Sequence, residues 1–260
     1  LNDRKENEAA VEQPPNTVII RRCETIIDEG VNKEIDGVIG TDDQNTRTEH
    51  CKKVFIVTVD EWGNEGINAT VEEPVYVMGA ITSTNPNRLA GVSAEMRRLY
   101  NYSEIKYHDL RSAEKEYGEM KISVIGVKAI GVYIDKNAEN NPPWWYKHLG
   151  HRSKVHRFVL SELADDIMRD PELDNITIVL DEHTALNQNN NEKTFRDSAK
   201  MFNKNLISVK LERSVDGRHH NLIQSGEIVI GAMGKAIRDD IENNLIMMSI
   251  RKLTDKNTKK

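Results

Sequence analysis

Two β-branched runs in this chain each stop at an Asp-Glu pair. Residues 54–59 (VFIVTV) lead into Asp60-Glu61, and residues 176–180 (ITIVL) lead into Asp181-Glu182. Runs of this length and composition read as buried strands. Open α/β sheets gather functional groups at the carboxyl ends of their strands. An ionised carboxylate there is costly unless water, hydrogen bonds or a cation compensate it. The competing reading is that both acids simply start turns, as Asp commonly does.

Around these runs, strands and helices alternate. Residues 75–82 (VYVMGAIT) follow a loop holding Gly63, Asn64 and Gly66, which predicts an antiparallel hairpin with the first strand. Leu89, Val92, Met96 and Leu99 recur at helical spacing within 88–102. Residues 124–134 read as a long apolar strand in a central position. After Pro142-Pro143, a helical stripe runs through Val155, Phe158, Val159, Leu163, Ile167 and Met168. Asn191 is the expected cap of a helix over 192–203, and 206–211 is a further strand. A last helix over 226–242 carries Val229, Met233, Ala236, Ile237 and Ile241 on one face. Its Gly231, Ala232 and Gly234 leave room for a sheet to approach. The expected class is α/β, a mixed sheet with helices on both faces, over residues 51–250. Residues 1–50 read as an arm with a candidate β-hairpin (17–27 and 34–39) and a polar linker (41–49). Residues 251–260 read as a polar tail.

Composition narrows the function classes. The chain has 260 residues, 38% hydrophobic and 30% charged, enough for one well-solvated large domain. No apolar run approaches the length of a membrane span. Residues 1–13 are charged and polar, unlike a secretory signal. Cys23 and Cys51 alone do not make a disulfide framework, so a soluble protein of the reducing cytoplasm is expected. The net charge of −6 is not that of a protein binding phosphates by bulk charge. Any nucleic-acid contact is therefore local or arranged through metals. Zinc-type Cys-x-x-Cys pairs, a phosphate-binding glycine loop and a Gly-x-Ser-x-Gly elbow are all missing from the sequence.

Four elements, in order, resemble a known family. Asp60-Glu61-Trp62-Gly63 resembles the Asp-Glu-Ser-Gly signature that opens the domain-of-unknown-function 3800 family. Glu104-Ile105-Lys106 resembles its Glu-hydrophobic-Lys element, and Asp181-Glu182 stands where the family has an acid ending a later strand. Gln224-Ser225-Gly226-Glu227, followed by Gly231-Ala232, is similar to its Gln-Leu-Ala-Asp element at the start of the last helix. The resemblance runs over residues 54–240 and implies a ribonuclease H-like fold, whose enzymes hold two metal ions with three or four carboxylates and cut phosphodiesters. The chain departs from the pattern twice: Trp62 stands in place of Ser, and Glu227 in place of Asp.

The resemblance implies that Asp60, Glu104, Asp181 and Glu227 are the metal-ligating and catalytic set, holding two Mg²⁺ or Mn²⁺ ions, with Asp60 bridging them. The physical case is independent of the name. Crowded carboxylates raise one another's pKa, and dications relieve that repulsion. Mg²⁺ takes hard oxygen ligands and keeps waters, and two ions about 4 Å apart can clamp an in-line displacement. Candidate substrate contacts are Lys106, Trp62, Arg218, His220 and Gln224. Each has a plainer reading: a salt bridge to Glu104 for Lys106, packing for Trp62, and an exposed loop for His219-His220 with Arg213 and Arg218. His108 and Asp109 read as neighbours of the site or as surface groups. Arg152, Lys154, His156 and Arg157 at a helix start read as phosphate contacts or a solvated face. Trp144, Trp145 and Tyr146 read as base-stacking or docking residues. The expected function is a metal-dependent nuclease acting on DNA or RNA. The alternatives are a non-catalytic nucleic-acid-binding module and an assembly protein that homo-oligomerises through its N-terminal extension.

Overall fold

The computed structural model describes residues 54–64, 74–83, 85–136, 152–182, 188–213, 219–240 and 245–253. The expected N-terminal arm, hairpin and linker, the Trp144-Trp145-Tyr146 cluster, Arg218 and residues 254–260 lie outside the described residues. In chain order the elements are β1 (Phe55–Trp62), β2 (Val75–Ser83), α1 (Pro86–Tyr100), a 3-10 turn (Tyr107–Asp109), α2 (Ser112–Ser123), β3 (Lys128–Asp135), α3 (Arg152–Arg169), β4 (Ile176–Asp181), α4 (Gln188–Met201), β5 (Leu206–Glu212), α5 (His220–Asp239) and β6 (Met247–Lys252).

The strands form one mixed sheet in the order β5-β4-β1-β2-β3-β6. β1 and β2 make the expected antiparallel hairpin, and β2 pairs antiparallel with β3. β4 lies parallel to β1 and to β5, and β6 parallel to β3. Period-two alternation sorts the side chains onto two faces. On one face Val57, Val59, Tyr76, Met78, Val132, Ile178 and Leu180 pack against Val159, Leu163 and Ile167 of α3 and Phe195 of α4. The other face takes α5: a Cβ on Gly79 of β2 would strike Ile230, and one on Gly131 of β3 would strike Met233. Glycine at these two positions is what lets the helix lie so close to the strands. Among the described residues no helix is long and apolar enough to cross a membrane.

Several boundaries differ from the sequence reading, each for a local reason. α1 starts at Pro86 because Asn85 Oδ1 accepts the Arg88 N–H at 3.1 Å and proline suits a first helical turn. Residues 124–127 belong to the turn after α2, with Ile125 N–H bonded to Ile122 O, so β3 begins only at Lys128; it is an interior strand, between β2 and the edge strand β6. α4 already includes Asn191, which is buried inside the helix and does not cap it. α5 begins at His220, so Glu227 sits in its third turn rather than at its start. β6 was not anticipated and takes Arg251 and Lys252 out of the expected tail.

Candidate functional site

The site is built from the side of the sheet that faces α5. Val59 and Leu180 are paired across β1 and β4, and both point into the α3–α4 core. The next residue on each strand, Asp60 and Asp181, therefore points the opposite way, toward α5. β1 does not end at Asp60 as expected. It continues through Glu61 and Trp62, held by β2, with Asp60 opposite Gly79 and Trp62 opposite Val77. Each aspartate fixes one oxygen in the same local way: Asp60 Oδ1 accepts the Glu61 N–H at 2.8 Å, and Asp181 Oδ1 accepts the Glu182 N–H at 2.9 Å.

Glu227 reaches the same place from α5. Its Oε1 accepts the Tyr107 N–H at 2.9 Å. That bond is set up one turn earlier, where buried Gln224 accepts the Ile105 N–H at 3.2 Å. The segment 104–107 is thus laid along α5. The Tyr107 ring rests where a Cβ on Gly231 would otherwise be.

Asp60 keeps partial exposure as a residue, but its Oδ2 is shut off from solvent and has no hydrogen-bond partner among the described residues. Burial pushes the Asp60 carboxyl well above the usual carboxylate range; the Glu227 charge adds to this, and the fields of Asp181 and Glu61 add less. Glu227 is also raised by burial, against the pull of the Tyr107 N–H and the Lys106 ammonium. The two acids are close enough for the Glu227 charge to act on Asp60.

Glu104 is held at the margin. Its Oε1 pairs with Lys106 Nζ at 3.0 Å. Burial works against the Lys106 charge, but the bond to Glu104 and the fields of Glu227 and Asp60 more than offset it and raise its pKa. The ammonium is therefore the local counter-charge of the acids. Asp60, Glu227 and Asp181 share one region, Glu104 and Lys106 border it, and among the described residues no three acid, histidine or cysteine side chains stand close enough to hold a metal ion as placed.

The other sequence candidates fall in different places. Gln224, expected among the substrate contacts, is buried and docks residue 105 onto α5. His219 is not in an exposed loop: it is buried at the start of α5, with Nδ1 2.5 Å from Glu212 Oε1. His220 meets Arg97 Nη2 at 3.0 Å. Trp62 packs on α5 at Gly234 with the Arg238 guanidinium 5.7 Å from its ring centroid. His108 and Asp109 pair with each other at the surface, 3.1 Å apart. Lys154 and Arg157 are exposed, but His156 is buried. His156 Nδ1 lies 2.8 Å from Glu61 Oε2 and 3.0 Å from Tyr76 Oη. Glu61 thus belongs to the face opposite Asp60.

The sequence reading missed Glu212. It ends β5 as Asp181 ends β4, the two are register partners, and the same strand-then-acid pattern marks it. Comparison of the chain with protein-family models and with curated proteins gives no match.

Proposed function

We propose that this chain is a metal-dependent nuclease that hydrolyses phosphodiester bonds in nucleic acid, on a ribonuclease H-like fold of the kind the domain-of-unknown-function 3800 resemblance implies. The observation that carries the reading is Asp60 Oδ2, a sealed and unpartnered carboxylate oxygen beside a second, half-buried acid. Such an oxygen is stable only with a proton or a cation. The mixed sheet with helices on both faces, and the acids at the carboxyl ends of neighbouring parallel strands, support the same reading.

The donor set fits Mg²⁺ or Mn²⁺, since Asp60, Glu227 and Asp181 offer hard oxygens and no thiolate or imidazole. When bound, such ions polarise a phosphoryl oxygen and activate water. The chain's own residues do the rest. Asp60 and Glu227 each have one oxygen held by a backbone N–H, of Glu61 and Tyr107, and their side chains and that of Asp181 would have to draw closer to hold an ion together. Asp181 adds a partly exposed carboxylate from β4. Lys106 places a positive charge at the rim, where a non-bridging phosphate oxygen would meet it and free Glu104 to turn inward.

The test is a Mn²⁺ titration against single-stranded, duplex and hybrid substrates, with Asp60→Asn alongside. The expected result is Mn²⁺-dependent cutting of at least one substrate, abolished in a folded Asp60→Asn protein. No cutting of any substrate at saturating Mn²⁺ would overturn the reading.

One observation favours a second reading, a nucleic-acid-binding module without catalysis: Lys106 already supplies a fixed positive charge to the acids. That protein would bind oligonucleotides, cut none, and gain no thermal stability from Mn²⁺.

A further inference from the structure

Beyond the acids, the same helix carries a group of cations backed by aromatic rings. Along α5 the order is Glu227, then Gly231 with the Tyr107 ring on it, then Gly234 with the Trp62 indole on it, then Lys235 and Arg238. Arg238 lies over Trp62, and Lys115 Nζ of α2 lies 4.8 Å from the centroid of the Tyr107 ring. Lys115, Lys235 and Arg238 are close enough to feel one another as like charges. Arg238 is exposed, and Lys115 and Lys235 are half-buried. Neither lysine makes an ion pair among the described residues. Of the nearby acids, Glu119 accepts the Tyr107 hydroxyl at 3.0 Å and Asp109 pairs with His108, while Asp239 pairs with Arg238 itself at 2.6 Å.

We infer that Lys115, Lys235 and Arg238 form a phosphate-backbone clamp that holds a nucleic-acid strand beside the acid pair. Lys235 and Arg238 act against the Lys115 charge, and a polyanion would offset that repulsion. The rings give Lys115 and Arg238 a rigid seat, because a cation over an indole or phenol face is held by the ring quadrupole. Trp62, the residue that departs from the family's Ser, is the platform for Arg238. Packed on Gly234 with Arg238 over its ring, it serves the backbone contact. Arg238 lies about 16 Å beyond Glu227 at about 1.5 Å of rise per residue. Phosphates recur about every 3.4 Å along one strand of duplex DNA, so the clamp engages phosphates within about five positions of the acids.

This inference rests on the proposed nuclease reading for its ligand but is measured without cutting. Fluorescence anisotropy of labelled mixed-sequence oligonucleotides, single-stranded and duplex, in EDTA gives affinity against salt concentration. Wild-type protein should bind, with log K falling linearly in log salt. The triple variant Lys115→Gln, Lys235→Gln, Arg238→Gln should bind on the order of tenfold or more weakly at low salt, with a slope shallower by about 2–3. Lys235→Gln alone touches no hydrogen bond among the described residues and should flatten the slope by about 1. It keeps the test open if the triple variant unfolds. Wild-type affinity and slope in a folded variant, or no binding by wild type to either probe, overturns the clamp. A wild type that binds as described but cuts nothing with Mn²⁺ sinks the nuclease reading and leaves the clamp standing.

Discussion

Glu227 on α5 lies near enough to Asp60 on β1 for its charge to add to the burial that raises the Asp60 carboxyl. One of the pair, Asp60, has an oxygen with neither solvent nor a donor. At neutral pH and without a dication this is a local cost in the native state. Asp60→Asn removes a charge and adds an N–H that Glu227 can accept. The variant should be more stable than wild type at pH 7 in EDTA by about 1–3 kcal/mol, the usual cost of a buried unsatisfied group. The sign with pH follows from linkage. A carboxyl raised in the native state binds more protons there than when unfolded, so wild-type stability falls as pH rises through the window above the ordinary Asp value. The gap between variant and wild type should therefore close as pH drops below about 4. Melting curves across that range check it, and a gap that does not change with pH would count against the crowded pair.

Lys106 competes for the same acids that a dication would neutralise. Lys106→Met should lower stability in EDTA only slightly, by at most about 1 kcal/mol, because the ammonium is about one-third exposed and solvent screens it. The same change should tighten Mn²⁺ binding several-fold, since no fixed charge then has to be displaced. Isothermal titration calorimetry measures this directly. Weaker Mn²⁺ binding in the variant would show that Lys106 supports the site and does not compete for it.

The direction of the two aspartates was legible, though not the end of β1, because alternation leaves little freedom: once Val59 and Leu180 enter the core, Asp60 and Asp181 must leave it on the other side. The hairpin and the α3 stripe were legible for the same reason. α2 was not, because its buried stripe is Glu114, Gly118 and Ile122. Glu114 is buried yet satisfied, bonded to the Arg111 N–H and to the Tyr102 hydroxyl. Gly118 is there to admit Met96 and Ile228. Neither residue type registers as apolar periodicity. β6 was missed because it is an edge strand with Met247 exposed and Arg251 and Lys252 at its end. The salt bridge of Lys106 with Glu104 was legible as a local i,i+2 contact, whereas the burial that sets it against Asp60 and Glu227 needs the whole fold.

The buried cluster on the other face of β1 makes a separate prediction. The Tyr76 hydroxyl donates to Glu61 Oε2 at 2.8 Å and lies 3.0 Å from His156 Nδ1. Tyr76→Phe removes the central hydroxyl from a fully buried position. The expected loss is about 1–3 kcal/mol in urea unfolding. The stabilisation gained from Mn²⁺ should be unchanged, because Glu61 and Asp60 point to opposite faces of the sheet. A variant as stable as wild type would mean that the cluster contributes nothing net.

Gly231 links packing to the site most directly. A Cβ there would run into the Tyr107 ring, whose own N–H holds Glu227. Gly231→Ala must therefore move the ring, the helix or both, at a cost of about 1–3 kcal/mol. It should also draw the Tyr107 N–H away from Glu227, leaving that carboxyl harder to ionise and its Mn²⁺ affinity lower. Gly91→Ala is the matched control. It sits on the exposed side of α1 with nothing within 4 Å of the added carbon, and it should gain about 0.4–1 kcal/mol from helix propensity and reduced unfolded-state freedom. Thermal melts with and without Mn²⁺ separate the two effects. If Gly231→Ala loses stability but keeps full Mn²⁺ affinity, the Tyr107 contact is packing alone and Glu227 does not depend on it.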